Sequence, residues 1–125
     1  MNIPNEPTLI NPEHGHFLSV RDIKKAVQMY CKLFEFPIHE EEILFGHLYF
    51  MPNKIILDSD DMEGRPLPPW LPVSLKLGAT DIDEAYNHVK DLGFEIKKEI
   101  DRGQTVSWFL FNDPDGNVLM MCEDH

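Results

Sequence analysis

The length, composition and charge of the chain exclude several classes of protein. Its 125 residues, 42% of them hydrophobic, suffice for one domain with a real core and are too apolar for a disordered chain. A net charge of −11 argues against a nucleic-acid partner, because contacts with phosphate require lysine and arginine. No apolar run approaches the ~20 residues needed to cross a membrane.

The start of the chain and its cysteines indicate a cytoplasmic protein. Residues 1–7 lack the basic segment and the apolar core of a signal peptide. Two cysteines, Cys31 and Cys122, are too few for the disulfide framework of a small secreted domain. We therefore predict a cytoplasmic location and free thiols, and we expect the negative charge mainly to keep the protein in solution.

The first half of the chain predicts a strand, a helix and three further strands. Residues 16–20 are typical of a short strand, and residues 23–34 carry apolar side chains at helical spacing. Asp22 suits the N-cap of this helix, and Pro37 is expected to end it. The strands that follow are predicted at residues 38–43, 47–51 and 54–58.

The second half repeats this order of elements. Residues 73–77 predict a strand, and Asp81 with Glu84 forms a capping box for a helix that ends before Gly93. Residues 59–71, which carry prolines and charges, are typical of a linker between the two halves. Three more strands are predicted at residues 95–100, 105–111 and 118–123.

The segment Asp113-Pro114-Asp115-Gly116-Asn117 predicts a hairpin turn near the end of the chain. Proline fixes φ, Gly116 permits a positive φ, and the aspartate side chains can accept hydrogen bonds from nearby backbone amides. Because apolar runs lie on both sides of this segment, the turn is expected to join the last two strands.

The order and spacing of these motifs resemble those of the vicinal oxygen chelate superfamily. This superfamily includes glyoxalase I, extradiol dioxygenases, fosfomycin-resistance enzymes and bleomycin-binding proteins. The resemblance rests on the Val20-Arg21-Asp22 start, residues 26–30, residues 81–85 and the turn. It implies an α+β fold in which two βαβββ modules form a curved mixed sheet around a cleft. Within one domain spanning residues 1–125, it places the first module at 14–58, the linker at 59–71 and the second module at 72–123.

The resemblance also implies three positions at which enzymes of this superfamily hold a metal ion. Those enzymes use His, Gln or Glu side chains, and the matching positions in this chain are Gly15, Ser74 and Met120. Glycine has no side-chain donor, serine is a poor one, and the methionine thioether prefers soft metals. We therefore predict no metal and no cofactor.

An irregular metal site is the alternative. His14 and His16 flank Gly15, and Glu123 lies near Met120. Strand geometry argues against this set, because a shift of one residue turns a side chain to the other face of the sheet. With such a site, the protein would be a metal-dependent lyase, isomerase or thiol transferase of the same superfamily.

Strand parity and the three implied positions predict which residues line the cleft. Phe17 shares a face with Gly15, and Lys76 shares a face with Ser74, where it could pair with an acidic ligand or extend to the rim. No catalytic residue is identified. The predicted ligand-binding residues are Phe17, Tyr49, Ser74, Lys76, Trp108 and Met120.

These observations lead to a metal-free protein that binds a small organic molecule, in the manner of the bleomycin-binding branch. We expect a homodimer, because one module offers only half of a curved sheet and superfamily members often complete the cleft with a module of a partner. Neither a nucleic acid nor a membrane is expected as a partner. A protein-interaction or regulatory module without a small ligand is the third interpretation.

Overall fold

The computed structural model describes residue 9, residues 15–60 and residues 73–125. His14 and residues 61–71 of the predicted linker lie outside the described residues. No helix in the described part of the chain is long and apolar enough to cross a membrane.

The first module is a three-stranded sheet covered by one helix. Strand β1 (His16–Ser19) leads into helix α1 (Ile23–Phe34), which is followed by β2 (Leu48–Phe50) and β3 (Ile55–Asp58). The strand order is β1-β3-β2, with β1 parallel and β2 antiparallel to the central strand. Asp22 caps helix α1 as predicted, because its side chain accepts a hydrogen bond from the backbone amide of Lys25.

The strand predicted at residues 38–43 is wrong, because a single 3-10 turn occupies Glu40–Glu42 instead. Backbone bonds from Glu42 to His39 and from Ile43 to Glu40 close this turn. All three glutamates are exposed, and a run of like charges offers no apolar face that could hold a strand on a sheet. Within residues 15–60 the first module therefore has two strands after its helix, where the prediction had three.

The second module contains the complete strand–helix–three-strand order. Its elements are β4 (Val73–Gly78), α2 (Ile82–Asp91), β5 (Glu95–Arg102), β6 (Val106–Asn112) and β7 (Val118–Asp124). The strand order is β4-β7-β6-β5, with β4 parallel to β7 and the other pairs antiparallel. The predicted α+β fold, built from two related modules, is confirmed.

Both helices contribute to one shared hydrophobic core. Helix α1 packs on β2 and β3, and α2 packs on β5, β6 and β7. The Tyr30 ring of α1 meets the ring of Phe94 edge-on at 5.9 Å, and Phe94 meets Phe111 in the same way at 5.4 Å. The modules therefore contact each other on their helix sides, and the opposite faces of both sheets are not covered by α1 or α2.

The turn between β6 and β7 has the conformation that the sequence predicts. Gly116 adopts a φ of 83°, which a residue with a side chain adopts only with strain. The Asp113 side chain accepts hydrogen bonds from the backbone amides of Asp115 at 2.9 Å and Asn117 at 2.8 Å. The aspartate thus replaces the hydrogen bonds that the tight turn removes from the sheet.

The same turn binds the first module through hydrogen bonds with Ser19, Arg21 and Tyr30. The Tyr30 hydroxyl donates to Asp113 Oδ2 at 2.6 Å, and the backbone amide of Arg21 donates to Asp115 Oδ1 at 2.8 Å. Asn117 Nδ2 donates to the carbonyl oxygen of Ser19 at 2.7 Å. Burial, followed by the charge of Asp113, raises the pKa of Tyr30 well above its usual value, so the phenol keeps its proton and remains a donor.

Replacing Tyr30 with phenylalanine should test how much this junction stabilises the protein. The variant removes a hydrogen bond to a buried carboxylate, so the free energy of unfolding should fall by about 1.5–3 kcal/mol in urea denaturation at pH 7. Because the folded-state pKa is raised, this stabilisation is complete below the ordinary tyrosine value of 10.0 and is lost at higher pH. The difference between wild type and variant should therefore shrink above pH 10.

Tyr86→Phe is the matched control, because the Tyr86 hydroxyl donates to Glu99 at the protein surface. This variant should lose clearly less stability than Tyr30→Phe, since water can replace the lost partner. Equal losses in the two variants would show that the Tyr30–Asp113 bond has no special weight.

Candidate functional site

The candidate site consists of the two sheet faces that the helices leave uncovered. On the first sheet, Phe17, Ile56 and Phe50 are register partners on β1, β3 and β2. Phe17 is 61% exposed and Phe50 is 56% exposed, whereas Ile56 between them is 9% exposed. We call these three residues the phenylalanine row. Two exposed aromatic rings beside a covered aliphatic side chain form an apolar surface of the kind that marks a binding site.

The uncovered face of the second sheet carries a row with lysine at both ends. Lys76, Met120, Leu110 and Lys98 are register partners on β4, β7, β6 and β5. Both lysines are exposed, and Met120 and Leu110 are half-buried. We call these four residues the Met120 row. Its centre is apolar and its ends are cationic.

The next row on this face is built around Trp108. Trp108 pairs with Cys122 on one side and with Asp101 on the other, and Cys122 pairs with Gly78. The Lys98 amine lies 4.8 Å from the centroid of the Trp108 ring and 3.7 Å from Asp101 Oδ2. A Cβ atom built on Gly78 would meet no described atom within 4 Å, so there is open space at Gly78, whereas Cys122 beside it is buried.

Four of the six predicted ligand-binding residues lie on these uncovered faces. Lys76, Trp108 and Met120 lie together on the second sheet, and Phe17 lies on the first. Strand β1 pairs with β3 and strand β4 pairs with β7, so each is an edge strand of its own sheet. The residues predicted to share one pocket are therefore divided between two sheets of the chain.

The prediction for Ser74 assumes that side chains alternate strictly between the two faces of β4, and the strand is irregular at this residue. The register between β4 and β7 shifts between Val73 and Leu75, so Ser74 has no paired residue on β7. Such an irregularity breaks the strict alternation of side chains along a strand. The pairing of Ser74 with Lys76 on one face therefore does not follow from counting residues.

Tyr49 lies on the helix side of the first sheet, which corrects its prediction as a cleft wall. It is 3% exposed, pairs with the buried Leu57, and its hydroxyl lies 3.9 Å from Cys31 Sγ of helix α1. Burial raises the pKa of the Tyr49 phenol and of the Cys31 thiol, so both groups stay neutral. Phe50, the neighbour of Tyr49 on β2, faces outward, and the sequence analysis did not select it.

The positions implied for metal ligands do not supply a metal-binding set. A Cβ atom built on Gly15 would lie 3.0 Å from Ile56 Cδ1, so this position faces the same side as the phenylalanine row. Met120 occupies the middle of the second face. Glycine and methionine at these two positions lack the donors that hard or borderline metals require. Within residues 15–60 and 73–125, no cluster of three His, Cys, Asp or Glu side chains is arranged to hold a metal.

The alternative metal set is not brought together by the described residues. His16 pairs with Ile55 in the register that faces helix α1. Glu123 Oε1 accepts a hydrogen bond from the backbone amide of Ile82 at 2.7 Å, and its Oε2 lies 3.2 Å from His125 Nδ1. The carboxylate of Glu123 thus stabilises the N-terminus of helix α2, on the side of the sheet opposite to Met120. His14 lies outside the described residues.

A cavity of about 230 Å³ lies apart from these faces, between helix α1 and the turn of the second module. Arg21, Lys25 and Met29 line one side, and Pro114 and Asp115 line the other. Arg21 Nη1 lies 3.7 Å from Asp115 Oδ1, and burial raises the pKa of Asp115. Because Arg21 and Asp115 already pair with each other, this cavity is a weaker candidate for a ligand than the uncovered faces.

Comparison with known proteins agrees with the resemblance seen in the sequence. The model of the Glyoxalase/Bleomycin resistance protein/Dioxygenase superfamily matches residues 14–121. No match was found among curated proteins.

Similar solved structures come from several bacteria. A protein of unknown function from Agrobacterium tumefaciens has 17% identity and a TM-score of 0.71, with 94% of this chain and 98% of that chain covered. The genomically encoded fosfomycin resistance protein FosX from Listeria monocytogenes has 20% identity and a TM-score of 0.70, with 94% and 96% covered. A glyoxalase/bleomycin resistance protein/dioxygenase from Alicyclobacillus acidocaldarius has 16% identity and a TM-score of 0.52, with 91% and 93% covered. At these identities the likeness shows the fold alone.

Proposed function

The chain belongs to the Glyoxalase/Bleomycin resistance protein/Dioxygenase superfamily, and we propose that within it this protein binds a small organic molecule without a metal ion. Membership of a fold family does not settle activity, since one fold hosts several chemistries. The observation that carries the proposal is the chemistry of the uncovered faces. Glycine and methionine stand at two of the implied metal positions, and aromatic and aliphatic side chains surround them.

The apolar character of both faces supports a small-molecule ligand. The phenylalanine row offers two exposed rings, and the second face offers Met120, Leu110 and Trp108. Small-molecule sites are mostly apolar and contain a few polar groups that orient the ligand. Lys76 and Lys98 are polar groups of this kind at the edge of the apolar surface.

The proposal includes a homodimer in which two chains together form each cleft. Strands β1 and β4 are edge strands, and their side chains Phe17 and Val73 are exposed. An edge strand presents unpaired backbone groups that can pair with another chain. If β1 of one chain lies beside β4 of a second copy, the phenylalanine row and the Met120 row form one continuous surface.

Binding of the neutral fluorescent probe N-phenyl-1-naphthylamine should test the ligand site. We expect saturable binding by the wild-type protein. Met120→Glu should weaken it by about tenfold or more, because the variant places an unpaired charge in the apolar centre of the face. Asn87→Glu, which adds the same charge on the exposed side of helix α2, should leave the affinity unchanged. Absence of saturable binding, or equal losses in the two variants, would contradict the proposal and favour an interaction module.

Elemental analysis of the purified protein should test the metal-free assignment. Zn, Ni, Mn and Fe should all be far below one ion per chain, because catalytic sites normally need about three protein ligands. In the proposed dimer, which would bring position 15 of one chain to positions 74 and 120 of the other, the triple variant Gly15→His, Ser74→His, Met120→Glu should take up Zn or Ni as Ile56 moves away from the new ring at position 15. Met120→Glu alone is the control and should bind neither metal. One metal per wild-type chain, lost in His14→Ala or His16→Ala, would support the metal-dependent lyase, isomerase or transferase instead.

The molecular mass measured by light scattering after gel filtration should be twice the chain mass of 14.5 kDa, as in a homodimer. Val73→Lys should shift the protein toward the monomer, because a charge on the edge strand β4 opposes strand pairing. Lys97→Glu is the control, since residue 97 lies exposed on β5 at the opposite edge of the sheet. A wild-type monomer at high concentration would show that the dimeric cleft is incorrect.

A further inference from the structure

We propose that the small molecule bound by this protein is an organic acid with an apolar body, and that Lys76 binds its negative charge. This inference rests on the function proposed above and adds the chemical class of the ligand. It is carried by the position of Lys76 in the Met120 row, by the pairing of Lys98 with Asp101 and by the open space at Gly78.

Lys76 lies on the uncovered face of strand β4, beside apolar residues of the neighbouring strands. It is the register partner of Met120 on β7, and Met120 pairs in turn with Leu110 on β6. Lysine is disfavoured in strands, and an aliphatic residue would extend the apolar centre of this row. The residues before and after it in β4, Leu75 and Leu77, contribute to the core instead. Lys76 is therefore a cationic group directly beside the apolar centre of the candidate site, on the edge strand β4.

The other lysine of the Met120 row already has a carboxylate partner. Lys98, at the far end of the Met120 row, lies near Asp101 and over the ring of Trp108. In the described part of the chain, no carboxylate lies within ion-pair distance of the Lys76 amine, although the chain has 22 acidic and 11 basic residues.

The carboxylates on the same face are placed where they do not compete for Lys76. Asp101 lies on β5, three strands away, which corresponds to about 14 Å at the usual strand spacing. Glu95 lies on the same distant strand. Asp124 lies four residues beyond Met120 on β7, which corresponds to about 13 Å along the strand. A negative group brought in by a ligand would therefore meet Lys76 without displacing an internal ion pair.

The shape of the face beside Lys76 suits a group that reaches the amine from above the sheet. Gly78 follows two residues later on the same face and has nothing within 4 Å of its Cβ direction. Its neighbours are Cys122 in its own row and Met120 in the preceding row. An apolar body lying over Met120 and Leu110 could thus place its acidic group at Lys76 and a substituent in the space at Gly78.

Two probes with the same skeleton separate the charge from the apolar contact. 8-Anilino-1-naphthalenesulfonate carries a sulfonate, and N-phenyl-1-naphthylamine is the same molecule without it. Fluorescence titrations of both probes should be carried out with the wild-type protein and with Lys76→Gln, Lys76→Arg and Lys24→Gln. Lys24 is the control because it lies exposed on helix α1, away from both faces.

Lys76→Gln should weaken binding of the sulfonate by about three- to tenfold, since water partly screens a pair at the rim of an apolar surface. The same variant should leave the affinity for the neutral probe unchanged. Lys76→Arg should retain the sulfonate affinity, and added salt should reduce the difference between wild type and Lys76→Gln. Lys24→Gln should change neither titration.

The outcomes distinguish this inference from the function on which it rests. If the neutral probe binds and Lys76→Gln leaves the sulfonate affinity unchanged, the inference of an acidic ligand is wrong. The proposal that the protein binds a small molecule is then still supported. If Lys24→Gln weakens the sulfonate as much as Lys76→Gln does, the effect reflects net charge, and Lys76 is not the binding group. If neither probe binds, the proposed function fails, and this inference fails with it.

Discussion

The contact between the turn at residues 113–117 and the first module determines how the two halves of this protein are arranged. Asp113 is 5% exposed, and a carboxylate removed from water needs donors for its oxygens. Backbone amides of its own turn satisfy Oδ1, and Oδ2 accepts from the Asn117 side chain and from the Tyr30 hydroxyl of helix α1. The polar atoms of the turn are therefore fully paired only when the modules are packed against each other. The aromatic contacts of Tyr30 and Phe94 place the apolar core directly beside these hydrogen bonds.

The packing of the two modules against each other limits where a small organic molecule can bind. Since the helices occupy the interior between the modules, the extended apolar surfaces open to a ligand are the outer faces of the two sheets, beside the edge strands β1 and β4. In the proposed dimer, ligand binding and subunit association are thermodynamically linked, because a ligand that contacts both chains stabilises the assembled state. The stability of one chain and the affinity of the cleft are then largely separate properties, the first depending on the junction and the second on the edges.

The sequence predicted the order of helices and most strands because caps, turn residues and helical spacing are local signals. Asp22, Asp81 and Gly116 act as their chemistry indicates. The prediction of a strand at residues 38–43 was wrong because β-like spacing does not show whether a charged segment has a neighbouring strand to pair with. The prediction of which side of the sheet carries Tyr49 was wrong for another reason. Residues 48–51 are all apolar or aromatic, so the pattern of apolar and polar residues could not distinguish the inner side from the outer side. Its neighbour Phe50 was missed for the same reason. The irregularity at Ser74 depends on pairing with a distant strand and has no local signature.

Gly78 gives this protein a simple route to a different ligand range over evolutionary time. Its backbone is not in the left-handed region and its Cβ direction is open, so alanine, serine or larger residues could be accepted there without strain in the sheet. Substitutions on an edge strand leave the buried junction untouched and should be close to neutral for folding. Natural variation at this one position could therefore reshape the surface beside Lys76 while the fold is maintained, so that specificity could drift among descendants of the same stable scaffold.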